Sequence, residues 1–446
     1  MEKILYNKII IRLVTNNLLM NLLKKNIFDF IKIKLFLPLI LSALFFCNIA
    51  HSEEIFIGFI ETLEGQAKKN IDGNLKRLSE YDQIFTNENI TVGPNSSMNI
   101  SFVDNSILTL YGDSEFLVKE FDNTSQEKLF LLEILKGKFT FESGSIAKSK
   151  DEAMKIILSE IEVVLNGTLV TGENSEENKA IALVEDSMGK VGSLKVIIGD
   201  ETTTITEPSA GLNISGSQIQ QTTLSAEQTN QIKEIKQEEL VKSSTQSDED
   251  LDRALTKQLA NGTIPDANGD GITDANDIEA YKNDIYGFRG ERFEYFAEYS
   301  TGADMGLMSD IIINSDPAQS MYLMQTMINY DQANTTFIMD EVAKAGFDVF
   351  SHMSQADGLD TTMPYMDETF DFNEIRTSIV DGMISNQSDQ SIDAIARVMA
   401  VSDPSMSTYL VEEISNITPQ GNENFSIDIL ASFTEMAPEK LAEFYE

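Results

Sequence analysis

The sequence predicts a multidomain β-plus-α chain: an antiparallel β-rich domain over residues 53–205, then an all-α helical-repeat domain over 291–446. Three observations predict it. Short β-branched and aromatic runs, punctuated by turn dipeptides, fill the first part after the leader. Methionine and other apolar residues recur at three- and four-residue intervals in the last part. Between them, an acidic, glycine-bearing stretch of twelve residues breaks both periodicities. At 446 residues the chain has room for two or three domains, each with its own core.

Residues 1–52 read as a secretory signal peptide. Lys32 and Lys34 precede an apolar run, Leu35 to Ala50, and Ala50-His51-Ser52 places small residues at −3 and −1 before Glu53. The run is shorter than the ~20 residues a spanning helix needs, so an uncleaved anchor is the second choice. Initiation at Met20 would shorten the long basic flank. Cleavage would remove Cys47, the only cysteine, and His51, leaving His352 as the one histidine and no tryptophan. That composition excludes disulfides, thiolate nucleophiles and Cys/His zinc sites. His352 lies in Phe350-Ser351-His352-Met353, without nucleophile-elbow glycines, and reads as a satisfied helix or surface histidine.

The formal net charge is −39; residues 1–52 hold seven basic and two acidic side chains, so the remainder carries −44. Such a surface repels nucleic acid and suits divalent cations or basic partners.

Within the β-rich part, Ile55–Ile60, Met98–Phe102, Ile107–Tyr111 and Ile161–Leu165 are the clearest strands. Asp72-Gly73, Asp104-Asn105, Gly112-Asp113 and Asn166-Gly167 punctuate them as turns. Short strands at near-regular spacing argue for a sandwich or β-roll and against a Rossmann sheet.

A family resemblance follows from the order of these segments. Tyr81-Asp82-Gln83-Ile84 leads into Ile90-Thr91-Val92 and Met98–Phe102, and the turn Asp104-Asn105-Ser106 leads into Ile107–Leu110. Leu132–Phe139, with Gly137, comes later. This resembles the FecR domain over about residues 55–145, and more faintly to 205. Tyr81 stands where that family opens with glycine, and Asn105 stands where its turn has glycine. Asn166-Gly167-Thr168 lacks an arginine often found before Gly-Thr in the family. The resemblance implies a periplasmic module that senses or binds a partner. Iron-regulatory members also carry a cytoplasmic segment that controls a sigma factor. The roughly 34 residues ahead of the apolar run are too few for it, so only fold and compartment are carried over.

Residues 206–263 read as polar loop, helix and linker. Pro208–Gly211 and Gly216-Ser217 are loop-like; Ser225 with Gln228 forms a capping box for a polar helix, roughly Ala226–Lys242; Ser243–Asp250 reads as a flexible acidic linker.

Residues 264–290 contain the sharpest motif. Asp266, Asn268, Asp270, Asp274 and Asp277 place side-chain oxygens at positions 1, 3, 5, 9 and 12 of a loop, and Gly271 sits at position 6. Ile272 at position 7 offers its backbone carbonyl. A hard cation such as Ca²⁺ takes six to eight oxygens at about 2.3–2.6 Å, and this spacing wraps one ion. The plainer alternative is an acidic turn that binds nothing. Asp277 replaces the usual closing Glu of an EF-hand. Followed by Ile278 and Glu279-Ala280-Tyr281-Lys282, the loop resembles one half of a dockerin module, a family that binds cohesin domains through two such loops; one copy is present here.

In 291–446, Met321, Met324, Met327 and Ile328 share a face, as do Ile392, Ile395, Ala396 and Met399. Ser315-Asp316-Pro317 through Leu323 echoes Ser402-Asp403-Pro404 through Leu410 at six of nine positions. Each is a helix start with Pro in the first turn, and Met436-Ala437-Pro438-Glu439 is a shorter variant. Repeated helix starts predict a small α-solenoid. In architecture alone it is similar to the helical N-terminal domain of MgtE magnesium transporters.

These features favour an exported, non-catalytic binding or scaffold protein with a Ca²⁺ clip, whose partner is another exported or surface protein or a glycan. The membrane is a partner only if the leader stays uncleaved, and the expected location is the periplasm, the cell surface or outside the cell. Two alternatives stand beside it: a calcium-dependent enzyme acting on polysaccharides or a dockerin-type assembly component, and a FecR-type regulator of uptake.

Overall fold

The computed structural model describes residues 55–446 apart from 72, 125–126, 188, 216–217, 300–304, 331, 358–370, 386, 417–423 and 441–446. The signal peptide read over 1–52 lies outside the described residues. Residues 55–446 form one compact unit.

Strands come first, as the sequence predicts. They are β1 (Phe56–Glu64), β2 (Ala67–Ile71), β3 (Asn74–Arg77), β4 (Gln83–Phe85), β5 (Asn89–Val92) and β6 (Ser97–Phe102). Then come β7 (Ile107–Tyr111), β8 (Glu115–Asp122), the 14-residue β9 (Leu129–Glu142), β10 (Met154–Leu158) and β11 (Ile161–Asn166). The series ends with β12 (Leu169–Asn174), β13 (Lys179–Val184), β14 (Ser193–Ile198), β15 (Glu201–Ile205), β16 (Ala210–Ser215) and β17 (Gln218–Thr223).

The strands make two sheets that share β9. One runs β4-β1-β6-β7-β9-β12-β13-β16-β17, using the second half of β9. The other runs β3-β2-β5-β8-β9-β10-β11-β14-β15, using its first half. Every pairing is antiparallel except β9–β10. The strand changes sheets at Lys136, which pairs with Glu115, and Gly137, which pairs with Asn174. Gly137 has φ +102°, and a Cβ there would lie 2.1 Å from the Ser114 hydroxyl, so glycine is required. Apolar residues of both sheets close one core: Phe130 stacks edge-on against Phe102 at 4.9 Å and Phe141 at 5.6 Å.

The turn dipeptides do what their residue types suggest. Gly73, Asn105, Asp113 and Gly167 all have positive φ, at 84°, 65°, 62° and 60°.

Eleven helices follow among the described residues. The first, α1 (Ala226–Ser244), starts on the expected capping box: Ser225 Oγ accepts from the Gln228 amide, and the Gln228 side chain accepts from the Ser225 amide. Then come α2 (Asp248–Asn261), α3 (Asn276–Tyr299), α4 (Gly306–Asn314), α5 (Pro317–Tyr330) and α6 (Gln332–Lys344). The last are α7 (Val349–Met353), α8 (Phe372–Ser385), α9 (Asp389–Val401), α10 (Pro404–Asn416) and α11 (Phe425–Met436).

Three local readings differ from the structure. Residues 210–215 and 218–223 pair as β16 and β17, because Thr and Gln side chains suit a half-exposed edge that lacks an apolar alternation. Ser243–Asp250 is no linker: Ser247 caps α2 by accepting from the Asp250 amide, and acidic residues in a first turn complement the helix dipole. The helix after the loop does not stop near 290; α3 continues to Tyr299.

The helical echo is real in three dimensions. Asp316 Oδ1 accepts from the Ala318 and Gln319 amides at 2.9 Å, and Asp403 Oδ1 accepts from Ser405 and Met406 at 2.8 and 3.0 Å. Ser320 Oγ donates to the Ile312 carbonyl and Ser407 Oγ to the Met399 carbonyl, both at 2.9 Å, tying each helix to the one before it. The methionine stripes are core: Met321, Met324, Met327 and Met399 are all fully buried. Among the described residues, no helix is long and apolar enough to cross a membrane.

Candidate functional site

The twelve-residue loop joins α2 to α3. Gly262, at φ +65°, ends α2 in a left-handed cap, and Gly269 and Gly271 turn the chain at φ +71° and +81°. Each predicted ligand lies on this loop, and each of the five polar side chains has an oxygen engaged by a loop amide. Asp266 Oδ2 accepts from Gly271 at 2.8 Å, Asn268 Oδ1 from Asp270 at 2.9 Å and Asp270 Oδ1 from Ile272 at 2.7 Å. Asp274 Oδ1 accepts from Asn276 at 2.8 Å. Ile272 is exposed.

Asp277 behaves differently. It is buried in the first turn of α3, and its two oxygens gather the Asp274, Ala267 and Asn268 amides at 2.7, 2.9 and 3.3 Å. Those donors, Asp274 first, hold its carboxyl below the usual range. Asp277 therefore closes the loop onto the helix. The kinds and order of donor fit a hard cation. Among the described residues, however, no three acidic, His or Cys side chains converge at metal-binding distance.

The helices on either side of the loop grip the same turn of the β-part. From α2, Gln258 Nε2 donates to the Glu80 carbonyl at 2.8 Å and to Asp82 Oδ1 at 3.1 Å. From α3, the Tyr281 hydroxyl donates to the Tyr81 carbonyl at 2.6 Å. Tyr81 itself sits at φ +64°, costly for a bulky residue, and burial pushes its phenol pKa up. Its hydroxyl bonds to Gln246, between α1 and α2, and Phe59 packs edge-on against Phe288 at 5.0 Å. Both positions where the FecR resemblance expects glycine thus have left-handed backbone, filled here by Tyr81 and Asn105. The Asn105 turn is locked from beneath by buried Asp104, whose Oδ1 accepts from the Ser106 amide and whose Oδ2 accepts from the Ser106 hydroxyl. Desolvation raises the Asp104 carboxyl to about 6.

Further along, α1 and α3 bury charge against the sheet. Arg292 is 1% exposed and donates to Glu61 at 2.7 Å, to Ser243 at 3.1 Å and to Ser101. Lys236, fully buried, donates to the Thr109 hydroxyl at 2.9 Å and to Glu239 at 3.1 Å. Sequence reasoning missed both. The available signal was an arginine set within the aromatic run of Tyr286, Phe288, Phe293 and Phe296. A cleft of about 630 Å³ between β1 and α3 is floored by Phe59, Tyr281 and Phe288. His352 is satisfied, its Nε2 3.1 Å from the Ser315 carbonyl and its ring against Phe347.

No curated protein matches this chain. The family model described as FecR protein matches residues 88–191, from just ahead of β5 to just ahead of β14, which is less than half of the chain. The matched segment starts later and extends further than the clearest part of the resemblance read from the motifs. It contains the Asp104-Asn105-Ser106 turn and Gly137; Tyr81-Asp82 lies just before it.

Proposed function

We propose that this chain is an exported, non-catalytic binding or scaffold protein, in which the FecR-like β-part engages a partner and the 266–277 loop, on taking up Ca²⁺, fixes the helical repeat against it. One observation carries the reading: the helices flanking the loop both seat on residues 80–82, immediately ahead of the segment matched by the FecR family. Ordering the loop would stiffen that seat. Asp266, Asn268, Asp270, Asp274, Asp277 and the Ile272 carbonyl would hold the ion, which would supply charge neutralisation to the four carboxylates of the loop. The partner is an exported or surface protein or a glycan.

The test is calorimetric titration of the full chain with Ca²⁺, beside an Asp266→Ala/Asp270→Ala variant. Saturable uptake near one ion per chain, lost in the variant, is expected, together with faster proteolysis of 243–290 in chelator. No heat and unchanged cleavage would remove the clip.

The family match itself favours a second reading, a signal-transducing regulator. That reading needs an uncleaved leader, so sequencing the mature N-terminus separates the two.

A further inference from the structure

A row of small residues crosses one face of the sheet in register, polar from Asn99 through Thr109 and Thr140 to Thr171, then apolar at Ala182 and Gly211. Helix α1 lies over it. Its C-terminal half closes the row: Lys236 reaches Thr109, and Glu239 Oε2 accepts from Thr109 and Asn99 at 2.8 and 3.1 Å. Under its N-terminal half the closure stops. The side chains there are too short to reach the helix, which leaves a groove of about 670 Å³ roofed by Gln228, Gln231, Ile232 and Ile235. That volume is within the roughly 300–1,000 Å³ of small-molecule sites. Thr140, on the floor, is 2% exposed, and its hydroxyl has no hydrogen-bond partner at bonding distance, the Tyr111 phenol reaching it only weakly.

The lining selects the ligand's chemistry. In a chain of net charge −39, the groove's charged residues are Lys138 and Glu173, directly opposite each other in register. A charged ligand would find no net counter-charge. An added peptide strand needs free backbone donors, yet β9, β12 and β13 are each paired on both sides. What remains is hydroxyls and carboxamides, which donate and accept alike, with Leu224, Ile232 and Ile235 as apolar strips and the small Ala180 and Ala182 on the floor. We propose that this groove binds a neutral carbohydrate, taken as a free oligosaccharide or as a segment of a polymer. The inference deepens the binding role above and rests on it, but it does not require calcium.

The test titrates the full chain, with and without chelator, against maltohexaose, cellohexaose and chitohexaose, with oligogalacturonate as a charged control. Co-sedimentation with insoluble cellulose or chitin distinguishes polymer from free sugar. One neutral hexamer should bind saturably in both buffers. Ala180→Phe, which fills the groove from its half-buried floor, should weaken binding at least about tenfold, and Thr140→Val/Thr171→Val about three- to tenfold, with circular dichroism unchanged. The proposal is overturned if no neutral hexamer binds at about 10 mM, a concentration at which even millimolar affinity saturates. It is equally overturned if folded Ala180→Phe binds as well as the parent, or if the charged control binds more tightly. Cleavage of a bound hexamer would instead end the non-catalytic reading and leave the groove assignment standing.

Discussion

Replacing Arg292 by methionine while Glu61 stays in place should destabilise the fold by about 3–5 kcal/mol. The magnitude follows from what the side chain leaves behind. Glu61 is 1% exposed, Arg292 provides its ion pair at 2.7 Å, and its Oε2 has no hydrogen-bond partner. The Ser101 and Ser243 hydroxyls lose their donor too. Methionine keeps much of the apolar stem, so the loss is chiefly electrostatic. The double variant Glu61→Leu/Arg292→Met removes both charges and should return to within about 1–2 kcal/mol of the parent, because the buried pair's desolvation vanishes with it. Guanidinium unfolding followed by far-UV circular dichroism reads the difference; the chain has no tryptophan to report by fluorescence. A single variant costing under about 1 kcal/mol, or a double variant no better than the single, would refute the reasoning.

Asp104 should make stability depend on acid pH. Its folded carboxyl titrates at about 6 against an ordinary 3.8, so its contribution is complete below the ordinary value and is lost as pH rises through about 6. Two units correspond to about 3 kcal/mol, and Asp104→Asn should flatten that slope in thermal unfolding across about pH 4–6.5; an unchanged slope counts against it. At φ +65°, Asn105→Gly should be neutral to within about 0.5 kcal/mol and Asn105→Ala should cost about 1 kcal/mol. Equal melting temperatures for the two variants would contradict the left-handed turn.

What could be read beforehand had local causes. The Ser225–Gln228 box, the Asp-Pro helix starts and the turn asparagines each act within four residues, so their chemistry is written in adjacent letters. The β16–β17 pair was hidden because its Thr and Gln residues carry no apolar alternation. Helix α2 was hidden because an acidic first turn has the composition of a linker. The partners of Arg292 and Lys236 could not be read from the sequence. These partners, Glu61 and Thr109, are more than a hundred residues away, and only the docking of α1 and α3 on the sheet turns these cations inward. The candidate loop was the opposite case: all six candidate positions lie in one stretch of sequence, but nothing in the letters said that the helices on both sides of it would seat on Tyr81 and its neighbours.

The shared strand β9 has a mechanical consequence. At about 3.3 Å per residue it extends roughly 46 Å, and its ladder is split between two sheets. Tension along it would load both ladders in shear at once, where many hydrogen bonds must yield together. The helices that follow carry their backbone hydrogen bonds within themselves and can give way one at a time. A chain pulled between two attachments would therefore pay out length from its helical repeats while the β-part kept its shape, as a shock cord works against a rigid cleat.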